Sequence, residues 1–367
     1  MKIKNLLLLS AILSAAMPLQ TLNAQDFSVE SEKGKTIHYN ILDSDEKTVE
    51  VTYKGSAFAV DTHAYEGVVV IPGKVTFEGV AYDVVQIGPN AFAGSDGLVE
   101  VVLPDAVKVI GNFAFDRCVG LETVRFPSDP VTIKEGVFFR CPSIKNVVFG
   151  KNWETVDFSH FKWSRSLTEV NIPANASNVK NIKSLAYLQT VNVDKGNTRF
   201  ASVDGVLYNK RKTILFACPL AYDAELNIAS QTKEVYEGAL SDCYRLKSVK
   251  FPASMDVISP RILIRADSLQ SVTFALDTAL VRSAKMGDKE VLAIVHPNAR
   301  NIMVYVPSKL ASKYKKVMKW EVMNDLKEIE GENASKEYRG DQLIPKKNVK
   351  KIKKVKISKA KPKNKES

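Results

Sequence analysis

The sequence has few of the residues that enzyme and metal sites use most. Its 367 residues include four cysteines, four histidines and three tryptophans. The histidines lie far apart in the sequence, at His38, His63, His160 and His296. No Cys-x-x-Cys pair, His-Glu-x-x-His motif or Gly-x-Ser-x-Gly elbow occurs, so the common zinc and nucleophile signatures are missing. We therefore predict that the chain is not an enzyme, and we expect no catalytic residue, cofactor or metal ligand.

The sequence also lacks an apolar run of the roughly 20 residues that a membrane-spanning helix needs. A shorter apolar stretch, residues 6–16, follows Lys2 and Lys4 and precedes Leu22-Asn23-Ala24-Gln25. A short basic region, an apolar stretch of about 11 residues and a small residue before the cut are typical of a secretory signal. The pattern predicts a signal peptide over residues 1–24. We expect an exported protein without a transmembrane segment that is secreted, periplasmic or on the outer cell surface.

Excess charge is missing from most of the chain. The formal net charge is +11, yet residues 346–367 alone hold eleven lysines and one glutamate. Residues 25–345 hold 39 basic and 40 acidic side chains. A neutral body does not indicate a nucleic-acid-binding surface, and we expect no specific nucleic acid as a partner.

The lysine-rich tail has two interpretations. Blocks of like charge are usually solvated and disordered, which makes a linker and disordered tail the simpler one. The alternative is salt-sensitive attachment to an anionic glycan or to lipopolysaccharide. The candidate residues for that role are Lys346, Lys347, Lys350, Lys351, Lys353 and Lys354.

What the sequence does have is an internal repeat. Apolar residues recur at a constant spacing of 23 in four columns. The columns are Ile87, Ile110, Ile133 and Val156; Phe92, Phe115, Phe138 and Phe161; Leu98, Leu121, Ile144 and Leu167; and Val101, Val124, Val147 and Val170. Weaker copies follow, and about seven units are recognisable in total.

The units follow the pattern Leu-x-x-Val-x-Phe/Leu/Ile-Pro, with Gly150 in place of proline once, which is typical of a short strand that ends at proline. One such unit is too small to bury its apolar face, so neighbouring units must stack into a continuous core. A period of 23 lies in the range of leucine-rich repeats. We therefore predict a mostly β leucine-rich-repeat solenoid with about seven units.

The repeated phrase Ile87-Gly88-x-x-Ala91-Phe92 returns as Ile110-Gly111-x-x-Ala114-Phe115. It resembles the BspA-like leucine-rich repeats of secreted bacterial surface proteins, over about residues 65–330. The resemblance implies β-hairpins at the N-terminal cap, a recurrent hairpin insertion at 200–209 and a C-terminal cap.

These signals divide the chain into seven segments. We predict a signal peptide, an N-terminal β cap, repeats 1–5, a hairpin insertion, repeats 6–7, a C-terminal cap with a short helix after Ser308, and the linker with the tail. In the same order their bounds are 1–24, 25–84, 85–193, 194–232, 233–275, 276–330 and 331–367.

Residues that flank the central valine of each strand are predicted to point away from the core. They are short, polar and of mixed charge. A flat polar sheet of this kind fits contact with another protein, and it fits equally a sheet that is merely soluble. The candidate contact residues are Glu100, Val102, Thr123, Arg125, Asn146, Val148, Glu169, Asn171 and Lys250.

Three cysteines, Cys118, Cys141 and Cys243, occupy the same position in their units. Cys118 and Cys141 belong to adjacent coils, so a disulfide between them is one interpretation. We favour the other, a column of buried free thiols, because a free cysteine behaves as a small apolar side chain. Cys218 has no evident partner in the sequence.

The resemblance implies adhesion or protein–protein interaction for a secreted or cell-surface module. The predicted partner is another protein, such as a host extracellular-matrix or cell-surface protein, and we expect a monomer. The alternatives are a scaffold that its lysine-rich tail holds to an anionic envelope, and a glycan-binding protein. Fold alone does not choose among these functions.

Overall fold

A computed structural model describes residues 25–31, 34–54, 65–255, 262–275, 284–286, 289–291, 302–307, 325–329 and 355–356. The predicted signal peptide, the predicted C-terminal helix and almost all of the lysine-rich tail lie outside the described residues. Within these ranges no helix is long and apolar enough to cross a membrane.

The described residues form 27 short strands and two 3₁₀ helices. The N-terminal strands are β1 (Phe27–Glu30), β2 (Thr36–Asp43), β3 (Thr48–Thr52), β4 (Gly67–Val70), β5 (Lys74–Phe77) and β6 (Val80–Ile87). The next nine are β7 (Leu98–Val102), β8 (Val109–Ile110), β9 (Thr123–Arg125), β10 (Thr132–Ile133), β11 (Asn146–Val148), β12 (Thr155–Asp157), β13 (Glu169–Ile172), β14 (Asn178–Lys180) and β15 (Thr190–Val193). The 3₁₀ helices cover Ser159–Phe161 and Ile182–Ser184.

The remaining strands begin with a hairpin. They are β16 (Phe200–Val203), β17 (Val206–Asn209), β18 (Ile214–Ala217), β19 (Glu225–Asn227), β20 (Glu234–Val235), β21 (Ser248–Phe251), β22 (Ser271–Phe274), β23 (Ala284–Met286), β24 (Lys289–Val291), β25 (Met303–Pro307), β26 (Asp325–Ile329) and β27 (Val355–Lys356). The last of these falls in the predicted tail and pairs antiparallel with β26.

Two columns of parallel strands run along the molecule. The first contains β3, β6, β8 and β10, then β12 and β14, then β18 and β20. The second contains β4, β7, β9 and β11, then β13 and β15, then β19, β21, β22, β25 and β26. Ile110 pairs with Ile87 and with Ile133, one repeat to either side. This register confirms the predicted mostly β leucine-rich-repeat solenoid.

The solenoid has about eight turns, one more than the repeats recognised in the sequence. The additional unit lies inside the segment 194–232, where Leu215 pairs with Val235 and Leu226 pairs with Val249. β16 and β17 form the predicted hairpin, β17 pairs antiparallel with β18, and β18 pairs in parallel with β20. Leu215 and Leu226 are 11 residues apart, whereas Ile87 and Val101 are 14 apart. The shortened turn hides this unit from a search at constant spacing.

The N-terminal region contains antiparallel strands, as the sequence predicts, but their arrangement differs in one respect. β1, β2 and β3 form one antiparallel series, and β5 pairs with β6 as a hairpin. β4, which was expected to form part of a hairpin, pairs in parallel with β7 instead. Residues 67–70 are therefore a strand of the second column.

A column of stacked phenylalanines fills the centre of the first four units. The rings of Phe92, Phe115, Phe138 and Phe161 are buried, with successive centroids 4.9, 5.3 and 5.0 Å apart. Offset stacking at this distance stabilises aromatic pairs beyond the burial of their area. The buried side chains form two clusters that meet at the hairpin, where Leu207 belongs to one cluster and Val206 to the other.

All four cysteines are buried free thiols. Cys118 Sγ donates to Phe92 O at 3.0 Å, and Cys141 Sγ donates to Phe115 O at 2.9 Å. Each thiol thus bonds a carbonyl of the preceding coil. The disulfide interpretation of Cys118 and Cys141 does not describe this structure.

Candidate interaction surfaces

The predicted contact residues of the second strand column lie side by side. Thr123 pairs with Glu100 and with Asn146 in register, and Arg125 does the same with Val102 and Val148. The structure therefore brings six of the nine predicted residues into two adjacent rows.

Several side chains in these rows bond to each other. Arg125 Nε donates to Glu100 Oε1 at 2.6 Å, and Asn146 Nδ2 donates to Thr123 Oγ1 at 3.2 Å. Thr123 is itself buried, while Val148 is 40% exposed. A partner that bound here would have to break or accommodate these cross-strand contacts.

Three more predicted residues continue the face only in part. Asn192 Nδ2 donates to Glu169 Oε1 at 2.5 Å and to Asn171 Oδ1 at 3.3 Å. Beyond β15 the hairpin intervenes, because Gly205 O accepts from the amide of Val191. Lys250 lies on the far side of that hairpin, and burial lowers the pKa of its ammonium group.

A second surface lies on the turns that connect the first strand column to the second. We call five side chains of three successive turns the aromatic ridge: the exposed Phe113, Arg117, Arg140 and Trp163, and the half-buried Phe139. Phe113 and Trp163 are 37% and 43% exposed, and apolar side chains that lie together on a surface are more informative than single exposed ones. The repeat columns of the sequence do not predict this surface.

Contacts between turns hold the ridge together. The ring of Trp163 meets the ring of Phe139 edge to face, with centroids 5.3 Å apart. The guanidinium carbon of Arg140 lies 4.8 Å from the centroid of Phe139. The amide of Arg117 donates to Phe139 O at 2.9 Å, so units 2, 3 and 4 contribute to one surface.

Glycine is required beneath Phe113. Gly136 has a φ of +65°, and a Cβ atom there would collide with the Phe113 ring. The missing side chain lets the ring of one turn lie over the backbone of the next. The local sequence thus fixes Phe113 in position although more than a third of it faces solvent.

The ridge is positively charged. Arg117 and Arg140 are exposed, as are the neighbouring Lys162 and Arg165. Two acids lie beside these residues, the exposed Glu135 and Asp116, whose Oδ2 lies 3.7 Å from Arg117 Nε. Burial raises the pKa of the Asp116 carboxyl group against the opposing effect of both arginines. The arrangement presents aromatic rings and guanidinium groups to a partner of negative charge.

The ridge was missed because its members do not share a repeat position. Phe113, Phe139 and Trp163 follow the first-column residue of their units by three, six and seven positions. A column search compares equal positions only. The available signal was a surplus of aromatic residues in the turns beyond the phenylalanines that the core column uses.

Two further predictions concern the tail lysines and metal binding. The six tail lysines, Lys346 to Lys354, lie outside the described residues. In the part of the chain that the structure describes, no group of three or more His, Cys, Asp or Glu side chains is placed to hold a metal ion.

Comparison with known proteins adds a family. The model of the BspA type leucine-rich repeat region matches six copies, over residues 76–199 and 217–284. These two ranges make up more than half of the chain, and the second begins inside the shortened unit, at the end of β18. No curated protein sequence matches the chain.

Solved structures of bacterial proteins are also similar. A leucine-rich repeat protein from Bacteroides ovatus is 21% identical, with 77% of this chain and 71% of that chain covered and a TM-score of 0.45. The pneumococcal vaccine antigen PcpA is 16% identical over 84% of this chain and 99% of its own, with a TM-score of 0.42. A leucine-rich cell surface protein from Faecalibacterium prausnitzii is 18% identical over 84% and 96%, with a TM-score of 0.38.

Proposed function

Because the chain belongs to the BspA type leucine-rich repeat family, we propose that it is a bacterial surface-displayed module that binds another protein. The aromatic ridge is the contact surface, and an acidic region of the partner protein is the occupant. Export through the segment 1–24 and adhesion to host or neighbouring cells belong to the same proposal.

The observation that carries this proposal is the composition of the ridge. Tryptophan, tyrosine and arginine dominate the few side chains that supply most of the binding free energy in protein interfaces. Here the half-buried Phe139 contacts the exposed Trp163 and Arg140, with its ring centroid 5.3 Å from that of Trp163 and 4.8 Å from the guanidinium carbon of Arg140. The positive charges around them favour an acidic partner surface, which also accelerates association.

The solenoid supports this role by fixing the ridge before binding. Backbone hydrogen bonds join each turn to the next, as from the amide of Phe113 to Glu135 O at 3.0 Å. Binding then costs little conformational entropy on this side of the interface, because the ridge is already ordered. Rigidity of this kind is consistent with a binding module.

The strand face remains the second candidate surface. Its rows carry the predicted residues, but Arg125 already forms an ion pair with Glu100, with Nε and Oε1 2.6 Å apart. Exposed ion pairs of this kind contribute about 0–1 kcal/mol, so a partner gains little by replacing them. We therefore place the ridge ahead of the strand face.

Binding to immobilised extracellular-matrix proteins, with heparin as an anionic glycan control, tests the proposal. The ridge variant combines Phe139→Ala, Arg140→Ala and Trp163→Ala, and the matched strand-face variant combines Arg125→Ala, Val148→Ala and Asn171→Ala. We expect the ridge variant to lose at least about tenfold in affinity and the strand-face variant to retain it.

A third variant, with the six tail lysines from Lys346 to Lys354 changed to glutamine, separates the remaining alternatives. Loss of binding in this variant, or in moderate salt, would assign adhesion to the tail. Loss in the strand-face variant alone would assign it to the sheet. Binding to heparin that needs the ridge would identify a glycan rather than a protein as the partner.

A further inference from the structure

A group of basic side chains lies at the base of the hairpin insertion. Its members flank the ends of β16, β17, β18 and β20, which form one sheet. We call the group the basic patch, and it consists of Lys195, Arg199, Lys210, Arg211, Lys212 and Lys233. All of these residues except the half-buried Lys212 are exposed. The body of the chain is nearly neutral, so this concentration of positive charge is a local feature.

The topology of the sheet brings the patch to one end of the four strands. They lie in the order β16-β17-β18-β20, with β17 antiparallel to β16 and β18, and β18 parallel to β20. Arg199 comes directly before β16, and Lys210 comes directly after β17. Lys212 lies two residues before β18, and Lys233 lies directly before β20. The basic residues therefore share one edge, along a row of about 14 Å across the four strands.

Hydrogen bonds fix the part of the patch that lies beside the hairpin. The amide of Lys210 donates to Arg199 O at 2.7 Å. Lys210 Nζ donates to Lys195 O at 3.4 Å and also to Asn197 O. Asn197 is buried, and its Oδ1 accepts from the amide of Arg199 at 2.9 Å. The backbone that carries Lys195 and Arg199 is thus held against Lys210.

Similar bonds fix the part of the patch beside β18 and β20. Thr232 Oγ1 donates to Lys212 O at 2.9 Å, and the amide of Lys233 donates to Thr213 O at 2.8 Å. The Thr232 side chain is buried. The six charges therefore stand on an ordered backbone, which lowers the entropy cost of binding a ligand with several charges.

Neighbouring acids leave most of this charge uncompensated. Within the described residues none of the six side chains forms an ion pair, whereas Lys74, Lys145 and Lys247 each pair with a carboxylate. The acids adjacent to the patch in the sequence are Asp194 and Glu234. Six bases against these two acids leave an excess of four positive charges.

The residue types of the patch favour an acidic polysaccharide as the ligand. Four of the six members are lysine, which is depleted from protein–protein interfaces. None of the six is aromatic, and the adjacent Phe200 is buried, so the patch offers no ring on which nucleic-acid bases stack. A row of ammonium and guanidinium groups matches a chain that carries sulfate or carboxylate groups at intervals, because each group accepts charge-assisted hydrogen bonds.

We propose that the basic patch binds a glycan chain with sulfate or carboxylate groups. The aromatic ridge lies on the turns from the first strand column to the second, and the patch lies on the connections from the second column back to the first. The two surfaces share no residue, so this site is independent of the protein partner proposed for the ridge. It attaches the module to a glycan-covered surface and leaves the ridge free.

Heparin, a sulfated and carboxylated glycan, is the probe that tests the site. The lysine-rich tail also attracts anions, so the background for all measurements is the full-length chain with the eleven lysines of residues 346–367 changed to glutamine. Binding to immobilised heparin is measured by surface plasmon resonance across a salt series. We expect the background chain to bind heparin and its affinity to fall as salt screens the charges.

Two variants of this background, each with three fewer positive charges, locate the binding. The patch variant carries Arg199→Gln, Arg211→Gln and Lys233→Gln, and the matched control carries Arg117→Gln, Arg140→Gln and Lys162→Gln in and beside the aromatic ridge. We expect the patch variant to bind heparin at least about tenfold more weakly than the control, the effect of losing three ionic contacts. Circular dichroism checks that both variants fold.

Lysine acetylation of the background chain, read by peptide mass spectrometry, gives a second measurement that needs no substitution in the patch. Heparin should protect Lys195 and Lys233 from the reagent and leave Lys145 and Lys247, which are also exposed, as reactive as before. If the patch variant does not fold, this measurement decides alone.

Several results would overturn the proposal. They are equal affinity of the two variants for heparin, equal protection of all four lysines, and tighter patch-dependent binding of single-stranded DNA or of phosphatidylglycerol vesicles than of heparin. Loss of heparin binding in the control alone would place the glycan on the ridge and would also contradict the protein partner proposed there. Loss of heparin binding in the patch variant, with binding to matrix proteins retained, would support both sites.

Discussion

The regular units, 87–173, and the junction, 179–249, differ in what joins their turns. In the regular units four phenylalanine rings stack through the centre of the turns. At the junction apolar side chains such as Leu240 are also buried, and the half-buried Lys183 adds hydrogen bonds from its ammonium group to three carbonyl oxygens of the following coils. One region is stabilised by stacked rings, the other by apolar burial together with a polar network.

The difference shows how a repeat protein accommodates an insertion. The hairpin interrupts the strand columns, the next turn is short, and the apolar core divides into two clusters at this point. Buried carbonyl groups without partners would each cost about 1–3 kcal/mol. Lys183 donates to three carbonyl oxygens here, one of which, Ala239 O, also accepts from the amide of Cys218.

The largest expected effect comes from the apolar column. Phe138→Ala removes a buried ring that stacks on both neighbours, and we expect a loss of about 3–5 kcal/mol in the free energy of unfolding. The matched control is Phe113→Ala, an exposed ring of the same chain, which should cost much less. Urea denaturation followed by circular dichroism measures both, and equal losses would contradict the role of the column.

The junction should respond next. Lys183→Met removes one donor from three carbonyl oxygens and from the Cys243 sulfur, while Ala239 O keeps the amide of Cys218, and we expect a loss of about 1–3 kcal/mol. Lys183→Arg keeps a cation with several donors and should lose less. If Lys183→Met were as stable as the natural chain in thermal unfolding, the polar network would not stabilise the junction.

The sequence was sufficient for the fold because interior positions of a repeat must accept the same class of side chain in every coil. The columns that begin at Ile87, Phe92 and Val101 therefore predicted the stacking direction, the strand positions and the solenoid. The shortened unit was not recognised in the sequence because Leu215 and Leu226 are three residues closer together than Ile87 and Val101 of a regular unit.

The candidate sites were less predictable. Exposed residues are not constrained by stacking, so Phe113, Phe139 and Trp163 follow no common position. Lys183 looks in the sequence like any surface lysine, and its contacts with Cys218 and Cys243 depend on which coils the hairpin brings together. Six of the strand-face residues lie in two paired rows, but Thr123 is buried, and the bonds among these residues could not be inferred from spacing.

A smaller effect on stability is expected at the contact between Gly136 and the Phe113 ring of the aromatic ridge. Gly136→Ala adds a methyl group that meets the Phe113 ring at a positive φ, and we expect a loss of about 1–2 kcal/mol. The double variant Gly136→Ala with Phe113→Ala removes the collision and retains only the backbone cost. A double-mutant cycle by urea denaturation separates the two, and simple additivity would argue against the contact.

The smallest effect concerns Asp116, the carboxylate beside Arg117. Burial raises the pKa of Asp116, so the folded state holds this proton more tightly than the unfolded state does. Its contribution to stability is present below the unfolded pKa and is lost as the pH rises through the folded pKa. Asp116→Asn should therefore raise the melting temperature at neutral pH and leave it unchanged in acid. A higher melting temperature for the natural chain at neutral pH would reverse this assignment.

Native-state hydrogen exchange compares the two regions most directly. The amide of Phe115 donates to Val137 O and that of Cys218 donates to Ala239 O, both at 2.9 Å between adjacent coils. With equal bond lengths, the surroundings decide the opening free energy. The phenylalanine column predicts that Phe115 exchanges at least about a hundredfold more slowly than Cys218. Equal rates, or slower exchange at Cys218, would contradict the account.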